Sequence, residues 1–242
     1  MIQILTKEFN AFLNSLIAYI VIGVFLTSMG LLMWVFPETS VLNYGFADMD
    51  TLFSLGPYVF IFLIPAITMR SFAEEKRAGT LELLFTRPLT DWDIVLGKFL
   101  AGFLLVLFAL LPTGIYYLSV YLLGDPVGNV DTSGVIGSYI GLVLLAGVFC
   151  AVGLLASSIT TNQIVSFILA AFLCFFLFTG FNSLAALNVW SGNVLVIKQL
   201  GILYHYESLG RGLIDSRDVV YFLSVTALFL LATKTILSAR TW

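Results

Sequence analysis

Apolar residues run along this chain in long unbroken stretches, and the polar positions fall between the stretches rather than among them. The first charge-free run covers residues 9–37 and predicts a helix over about 16–36. A second predicts one over 51–69, with Pro57 and Pro65 inside it, and residues 99–124 supply a third at 99–123. No charge occurs from 132 to 197. The polar break Ser157-Ser158-Ile159-Thr160-Thr161-Asn162-Gln163 divides that length into helices at 135–157 and 164–187. The last run gives a helix at 219–239, with Lys234 near its end. A bilayer crossing needs about 20 mostly apolar residues. The runs are apolar on every face, whereas barrel strands alternate. The expected fold class is an all-α integral membrane protein with six transmembrane helices forming a single domain, 1–242.

The leading residues read differently. Ile2, Leu5, Phe9, Phe12 and Leu16 recur at spacings of three and four, with Gln3, Lys7, Asn10 and Asn14 opposite. That pattern predicts an amphipathic N-terminal helix over 1–14 lying in the membrane interface. The run behind it is too long for the apolar region of a cleavable signal peptide. Orientation follows from Lys and Arg in the connecting segments. The 37–50 and 125–131 segments hold five acids and no base, whereas 70–98 carries Arg70, Lys76, Arg77, Arg87 and Lys98. Both termini and the 70–98 segment are therefore expected in the cytoplasm. The 188–218 segment is expected as an external loop, its Lys198, Arg211 and Arg217 offset by Glu207, Asp215 and Asp218.

Composition narrows the classes of function. Apolar types make up 60% of the chain, charged residues 10%, and mean hydropathy is +1.04. Soluble domains average about 45–50% and 25%. A net charge of −3 and the absence of a basic run point away from nucleic acid. Cys150 and Cys174 lie in apolar runs and read as small core residues. His205 is the single histidine, too few for a histidine metal site or a catalytic dyad. No phosphate-binding G-x-x-x-x-G-K-[ST] occurs, because Gly97-Lys98 precedes Phe99 and lacks the upstream glycine. The chain is therefore not expected to hydrolyse ATP alone. No span interior holds an acid or a base, which weakens a proton- or sodium-coupled mechanism.

Within the spans, Thr179, Asn182 and Ser183 form the most polar patch, read either as part of a translocation path or as interhelical hydrogen bonding. Gly137 and Gly141 have the spacing for close helix contact, within the chain or with a second copy. Pro57, Pro65 and Pro112 are expected to kink their helices. His205, Glu207, Arg211 and Asp215 belong to the external segment, where internal ion pairs compete with substrate contact, and Asp215 or Ser216 is placed to cap the last helix.

The charges concentrate after the second span. Gly79 should stop the helix leaving that span, Thr80 can cap a short helix at 81–85, and Pro88 prevents its continuation. Thr90-x-x-Asp93 has the form of a capping box opening a helix through Gly97 and Lys98. A short helix displaying Leu81, Leu83 and Leu84 beside Glu74, Glu75 and Glu82 needs a partner surface. The acids argue against docking on the negative cytoplasmic leaflet.

The string E-E-K-R-x-G-T-L-E-L-L-x-T-x-P-L-T-x-x-x-I-V-x-G-K over 74–98 resembles the signature that follows the second span of ABC-2 type exporter permeases. The 205–222 segment is similar to that of the gliding-motility-associated (GldF-like) branch and of the related permease for copper-site maturation of nitrous oxide reductase. Length and short outer loops favour the GldF-like branch. The resemblance implies a bacterial inner-membrane permease subunit in which Glu74, Glu75, Lys76, Arg77, Gly79, Thr80, Leu81, Glu82, Leu83, Leu84 and Pro88 form or support the coupling-helix contact with a cytoplasmic ATPase. Thr90, Asp93, Gly97 and Lys98 would lead into the third span. It further implies a second permease copy or homologue, room for an accessory subunit with an external domain, and ATP and Mg bound by the partner, with no cofactor or catalytic residue in this chain. An anchoring or assembly component without cargo is the alternative.

Overall fold

The computed structural model describes residues 1–43, 45–81, 90–187, 194–212 and 214–239, the side chain of Ile17 excepted. These residues are almost entirely helical, and no strand occurs among them. In chain order the helices are α1 (Ile2–Leu13), α2 (Leu16–Trp34), α3 (Asp50–Thr68), α4 (Ala73–Ala78), α5 (Asp91–Leu110) and α6 (Gly114–Leu123). There follow α7 (Thr132–Ile159), α8 (Gln163–Phe175), α9 (Phe181–Ala186), α10 (Val194–Leu200), α11 (Ile202–Leu209) and α12 (Ser216–Ser238).

Among the described residues, five helical stretches are long and apolar enough to cross a membrane: Asp50–Ala78, Asp91–Leu123, Thr132–Ile159, Gln163–Ala186 and Ser216–Ser238. Helices α1 and α2, bent by 66° to one another, add a sixth when taken together. Pro57 and Pro65 are buried inside an uninterrupted α3, whereas Pro112 sits in a 3-10 turn between α5 and α6. A π-helical turn at Phe176–Gly180 joins α8 to α9.

Helix α7 is the axis of the bundle, buried over most of its length, while α8 and α12 turn much of their surface outward. Its glycines explain how neighbours approach so closely. A Cβ at Gly153 would overlap Thr68 Oγ1 of α3, and one at Gly137 would overlap the Leu209 carbonyl of α11. Gly141 lies 3.2 Å, measured from an ideal Cβ, from the Tyr206 ring. The Gly137–Gly141 pair thus packs within the chain.

The main core joins Phe25 and Met29 of α2, Phe60 and Ile64 of α3, Phe149 of α7 and Phe222 of α12. A smaller cluster of Ile4, Phe72, Ile94, Val95, Leu154 and Leu237 closes the end of the bundle where α1 lies. The 188–218 segment departs from the expected loop. Helix α11 buries Ile202, Tyr206 and Leu209 against the bundle, and the Tyr206 hydroxyl donates to the Phe53 carbonyl at 2.7 Å. Its apolar face covers only positions i, i+4 and i+7 of an eight-residue helix, too little for a bilayer-length hydropathy pattern to register. Residues 188–193 and 213 lie outside the described residues.

Candidate functional site: the α1–α4–α5 junction

Helix α4 is held at both ends. At its start, Ser157 Oγ of α7 accepts from the backbone N–H groups of Phe72 and Ala73, at 2.9 and 3.0 Å, and donates to the Met69 carbonyl at 3.1 Å. One hydroxyl thereby satisfies two of the helix's otherwise orphan donors. At its end Gly79 adopts φ +67°, and the N–H groups of Gly79 and Thr80 return to the Lys76 and Glu75 carbonyls at 3.3 and 3.0 Å. This is the glycine-terminated stop expected from the sequence. The Thr80 hydroxyl donates to the Glu75 carbonyl at 3.4 Å, and residues 82–85, which it was expected to cap, lie outside the described residues. Lys76 Nζ donates to the Ser158 carbonyl, a second strap between α4 and α7.

Helix α5 opens as predicted. Thr90 Oγ1 accepts from the Asp93 N–H at 3.2 Å, and Asp93 Oδ2 accepts from the Thr90 N–H at 3.3 Å. The α-amino group of Met1 lies 3.1 Å from Asp93 Oδ1, which brings α1 across this helix start. Helix α1 then crosses α5 at Gly97, where an ideal Cβ would stand 2.9 Å from Ile4 Cγ2. Only a residue without a side chain admits α1 this closely.

One residue further on, Lys98 is 3% exposed, and its ammonium donates to Glu8 Oε1 of α1 at 3.1 Å and to Glu75 Oε1 of α4 at 2.9 Å. The same nitrogen lies 5.3 Å from the centre of the Phe72 ring, a further favourable contact for a cation. Removing charges from water is tolerable only when they are paired and hydrogen-bonded. Here one ammonium serves two carboxylates. Glu75 Oε2 is buried and finds no hydrogen-bond donor among the described residues.

The outward face of α4 carries Glu74 and Arg77, with Gly79 and Thr80 exposed beyond it. Arg70 Nε pairs with Glu74 at 3.2 Å. Leu81 packs on the smaller cluster, and Glu82, Leu83, Leu84 and Pro88 lie outside the described residues. The end of α12 joins this junction through Lys234 over the Trp92 ring at 5.3 Å and a Ser238-to-Asp91 hydrogen bond at 2.8 Å.

Of the residues singled out in the sequence, the structure brings Glu75, Lys76, Thr90, Asp93, Gly97 and Lys98 together here. Glu75 faces inward to Lys98 rather than outward. Glu8, Ser157 and Ser158 were missed as members of this site. Glu8 is the one acid of α1, four residues from Ile4, which is the only signal that sequence could have offered.

The remaining candidates lie elsewhere. The Thr179 hydroxyl donates to the Phe175 carbonyl at 3.0 Å, while Asn182 and Ser183 are exposed. At the opposite end His205 Nδ1 lies 2.7 Å from Asp218 Oδ1, and Nε2 donates to the Gln199 carbonyl at 2.8 Å. Asp215 caps α12, accepting from the Arg217 N–H at 2.9 Å, and Glu207 and Arg211 are exposed. Cavities of about 320 and 340 Å³ share Phe46 at this end, beside Asp125 and beside Asp48 and Asp50.

The family model for the ABC-2 family transporter protein matches residues 2–241. No curated protein matches the chain. With its stack of apolar helices and a match over nearly its whole length, the chain belongs to the ABC-2 transporter family and is a multi-pass membrane protein.

Proposed function

We propose that this ABC-2 family member is the membrane-spanning permease subunit of an ABC transporter, and that its 70–98 segment receives the work of a separate ATPase subunit. The observation that carries this reading is the construction of α4. It is strapped to α7 by Ser157 and Lys76 and joined to α5 by Glu75, yet it holds Glu74, Arg77 and Thr80 outward. A segment braced from beneath and polar on its free side is suited to take a push from a protein partner. Closure of the ATPase pair on ATP would displace α4, and Glu75–Lys98 would carry the displacement to α5. For this to work, ATP must bind one arrangement of the complex better than the other.

In this reading the α1 end of the bundle faces the bacterial cytoplasm, α1 rests in the interface, and a second permease copy or homologue completes the path. Exposed Asn182 and Ser183 lie beside that path. The 205–222 segment supports a place in the gliding-motility-associated branch, with copper-site maturation of nitrous oxide reductase as the neighbouring alternative. Output without cargo, through an accessory subunit at the outer face, is compatible with apolar spans. Substrate-stimulated ATPase activity in liposomes separates transport from that output.

The docking claim is tested by co-expressing the tagged permease with its ATPase subunit. Wild type should retain the ATPase through purification, and a Glu74→Arg/Arg77→Glu variant should lose it while eluting as the same folded species. Equal retention by the two would overturn the proposed docking face.

A further inference from the structure

The chain's single histidine sits where α10, α11 and α12 meet. His205 Nε2 lies 2.8 Å from the Gln199 carbonyl, and Nδ1 lies 2.7 Å from Asp218 Oδ1. A carbonyl oxygen can only accept, so Nε2 carries a hydrogen. The Asp218 carboxylate accepts as well, so Nδ1 carries a second one and the ring is an imidazolium. The stacking suits a cation, because the Tyr221 ring covers the imidazole at 3.9 Å.

Asp218 depends on that second proton. Its side chain is 7% exposed, His205 Nδ1 is the one donor that reaches it among the described residues, and Oδ2 is buried without any. Once the proton on Nδ1 passes to water, a ring with one N–H is left between two acceptors. Whichever acceptor it serves, the other stays buried without a donor. No neighbour offers a replacement. The Tyr221 hydroxyl is committed to the Leu200 carbonyl at 2.7 Å, and Tyr204 meets the imidazole edge-on at 5.3 Å. Helix α7, which packs on α11, has no charged residue from Thr132 to Ile159, and its Tyr139 hydroxyl is engaged with Thr113 at 3.0 Å. Among the described residues Lys198, Glu207, Asp215 and Arg217 form no ion pair with His205.

We propose that His205 and Asp218 are a proton-operated latch, which holds α10 and α11 on α12 while the imidazole carries both hydrogens and lets them go when one is lost. A lysine or arginine in this place would be a permanent fastening, whereas histidine ordinarily changes charge near neutral pH. The fastening is complete where His205 is charged, and it is lost as the pH rises and the ring gives up its proton to water. What it closes is part of the core: α11 lies over Gly137 and Gly141 of α7 and buries Ile202, Tyr206 and Leu209. The latch stands on these contacts alone and is independent of the ATPase reading.

A single histidine makes the test direct. With histidine isotope-labelled at its ring nitrogens and a purification tag free of histidine, solid-state NMR of the protein in liposomes reads His205 alone. The series runs from about pH 5 to about pH 9, equal on both sides of the membrane, and brackets the interval in which histidine ordinarily changes charge. Hydrogen exchange over the same series gives protection factors for residues 202–209, with the pH dependence of free-chain exchange divided out. Both nitrogens should be protonated at the acid end. As one loses its proton, protection across 202–209 should fall about tenfold, the scale of one buried acceptor left unsatisfied. In Asp218→Asn a neutral ring keeps both bonds, Nε2 donating to Gln199 and Nδ1 accepting from the amide, so protection should stay flat. A ring with one proton at the acid end, a ring that never titrates, or titration without a change in protection each overturns the latch. An equal fall in Asp218→Asn does so too. Should that variant not fold, the two wild-type curves decide by themselves: coincidence upholds the latch and divergence rejects it.

Discussion

Each end of the bundle fastens a short helix to a long one through a buried acid–base pair, and the two fastenings are built on opposite plans. At the end opposite α1, His205 of α11 meets Asp218 of α12, its ring stacked on Tyr221 at 3.9 Å, while the Tyr221 hydroxyl donates to the Leu200 carbonyl at 2.7 Å. Every partner there comes from one stretch of chain, residues 199–221. At the α1 end the Lys98 ammonium of α5 draws on two other helices, α1 and α4, and serves two carboxylates, of which Glu8 also has Lys7 at 3.6 Å. A locally closed, stacked contact holds a hairpin in place. A contact spread over distant segments links parts that the local chain does not hold together. The same chemistry therefore makes a brace at one end and a linkage at the other.

The largest effect should come from Lys98→Met. It strands Glu75 and leaves Glu8 only Lys7 at 3.6 Å, and removing one partner of a buried ion pair typically costs about 3–5 kcal/mol. Thermal unfolding in nanodiscs should show a marked loss that Lys98→Arg mostly avoids; an unchanged midpoint would break the comparison. Next comes Gly97→Val. It drives a side chain into Ile4, and overpacking of this kind costs about 1–3 kcal/mol. Limited proteolysis should find α1 lifted from α5, and Ile4→Ala placed on Gly97→Ala should re-seat it better than Gly97→Ala alone.

The His205 brace gives the contrast. His205→Phe leaves Asp218 buried without its partner, a loss of about 1–3 kcal/mol. Stability should fall while ATPase retention stays at the wild-type level, and a loss of retention would erase the distinction between the ends. Ser157→Ala removes the hydroxyl that caps α4, worth about 1 kcal/mol, and should be seen as faster hydrogen exchange at Phe72 and Ala73. Smallest in stability is Glu74→Gln. Its exposed pair with Arg70 contributes no more than about 1 kcal/mol, so any marked loss of ATPase retention would report docking rather than folding.

What sequence could reveal followed the range of each interaction. The spans announce themselves because a bilayer-length apolar run is a one-dimensional signal. The Thr90–Asp93 capping box and the Gly79 stop are equally local, formed within three to five residues, and both occur as their residues suggest. Helix α11 escaped notice because only one of its faces is apolar. For α1 the amphipathic pattern drew attention to Ile2 and Leu16, which are 72% and 75% exposed, while the seam against the protein runs through Ile4 and Glu8. A charged residue on a packing seam looks like solvent-facing sequence until its counter-ion is known. For Glu8, beside the neighbouring Lys7, the closer counter-ion is Lys98, 90 residues away. Gly97 and Lys98 stood out as the end of a motif, yet their shared use, clearance and charge for α1, exists only once the helices cross.

The most direct test of the coupling account is site-specific photocrosslinking in the intact complex, with p-benzoylphenylalanine replacing Arg77 beside α4 or Arg211 beyond α11. The account predicts a crosslink to the ATPase from position 77 and none from 211. A crosslink from 211, or silence at 77 while the ATPase remains bound, would contradict it.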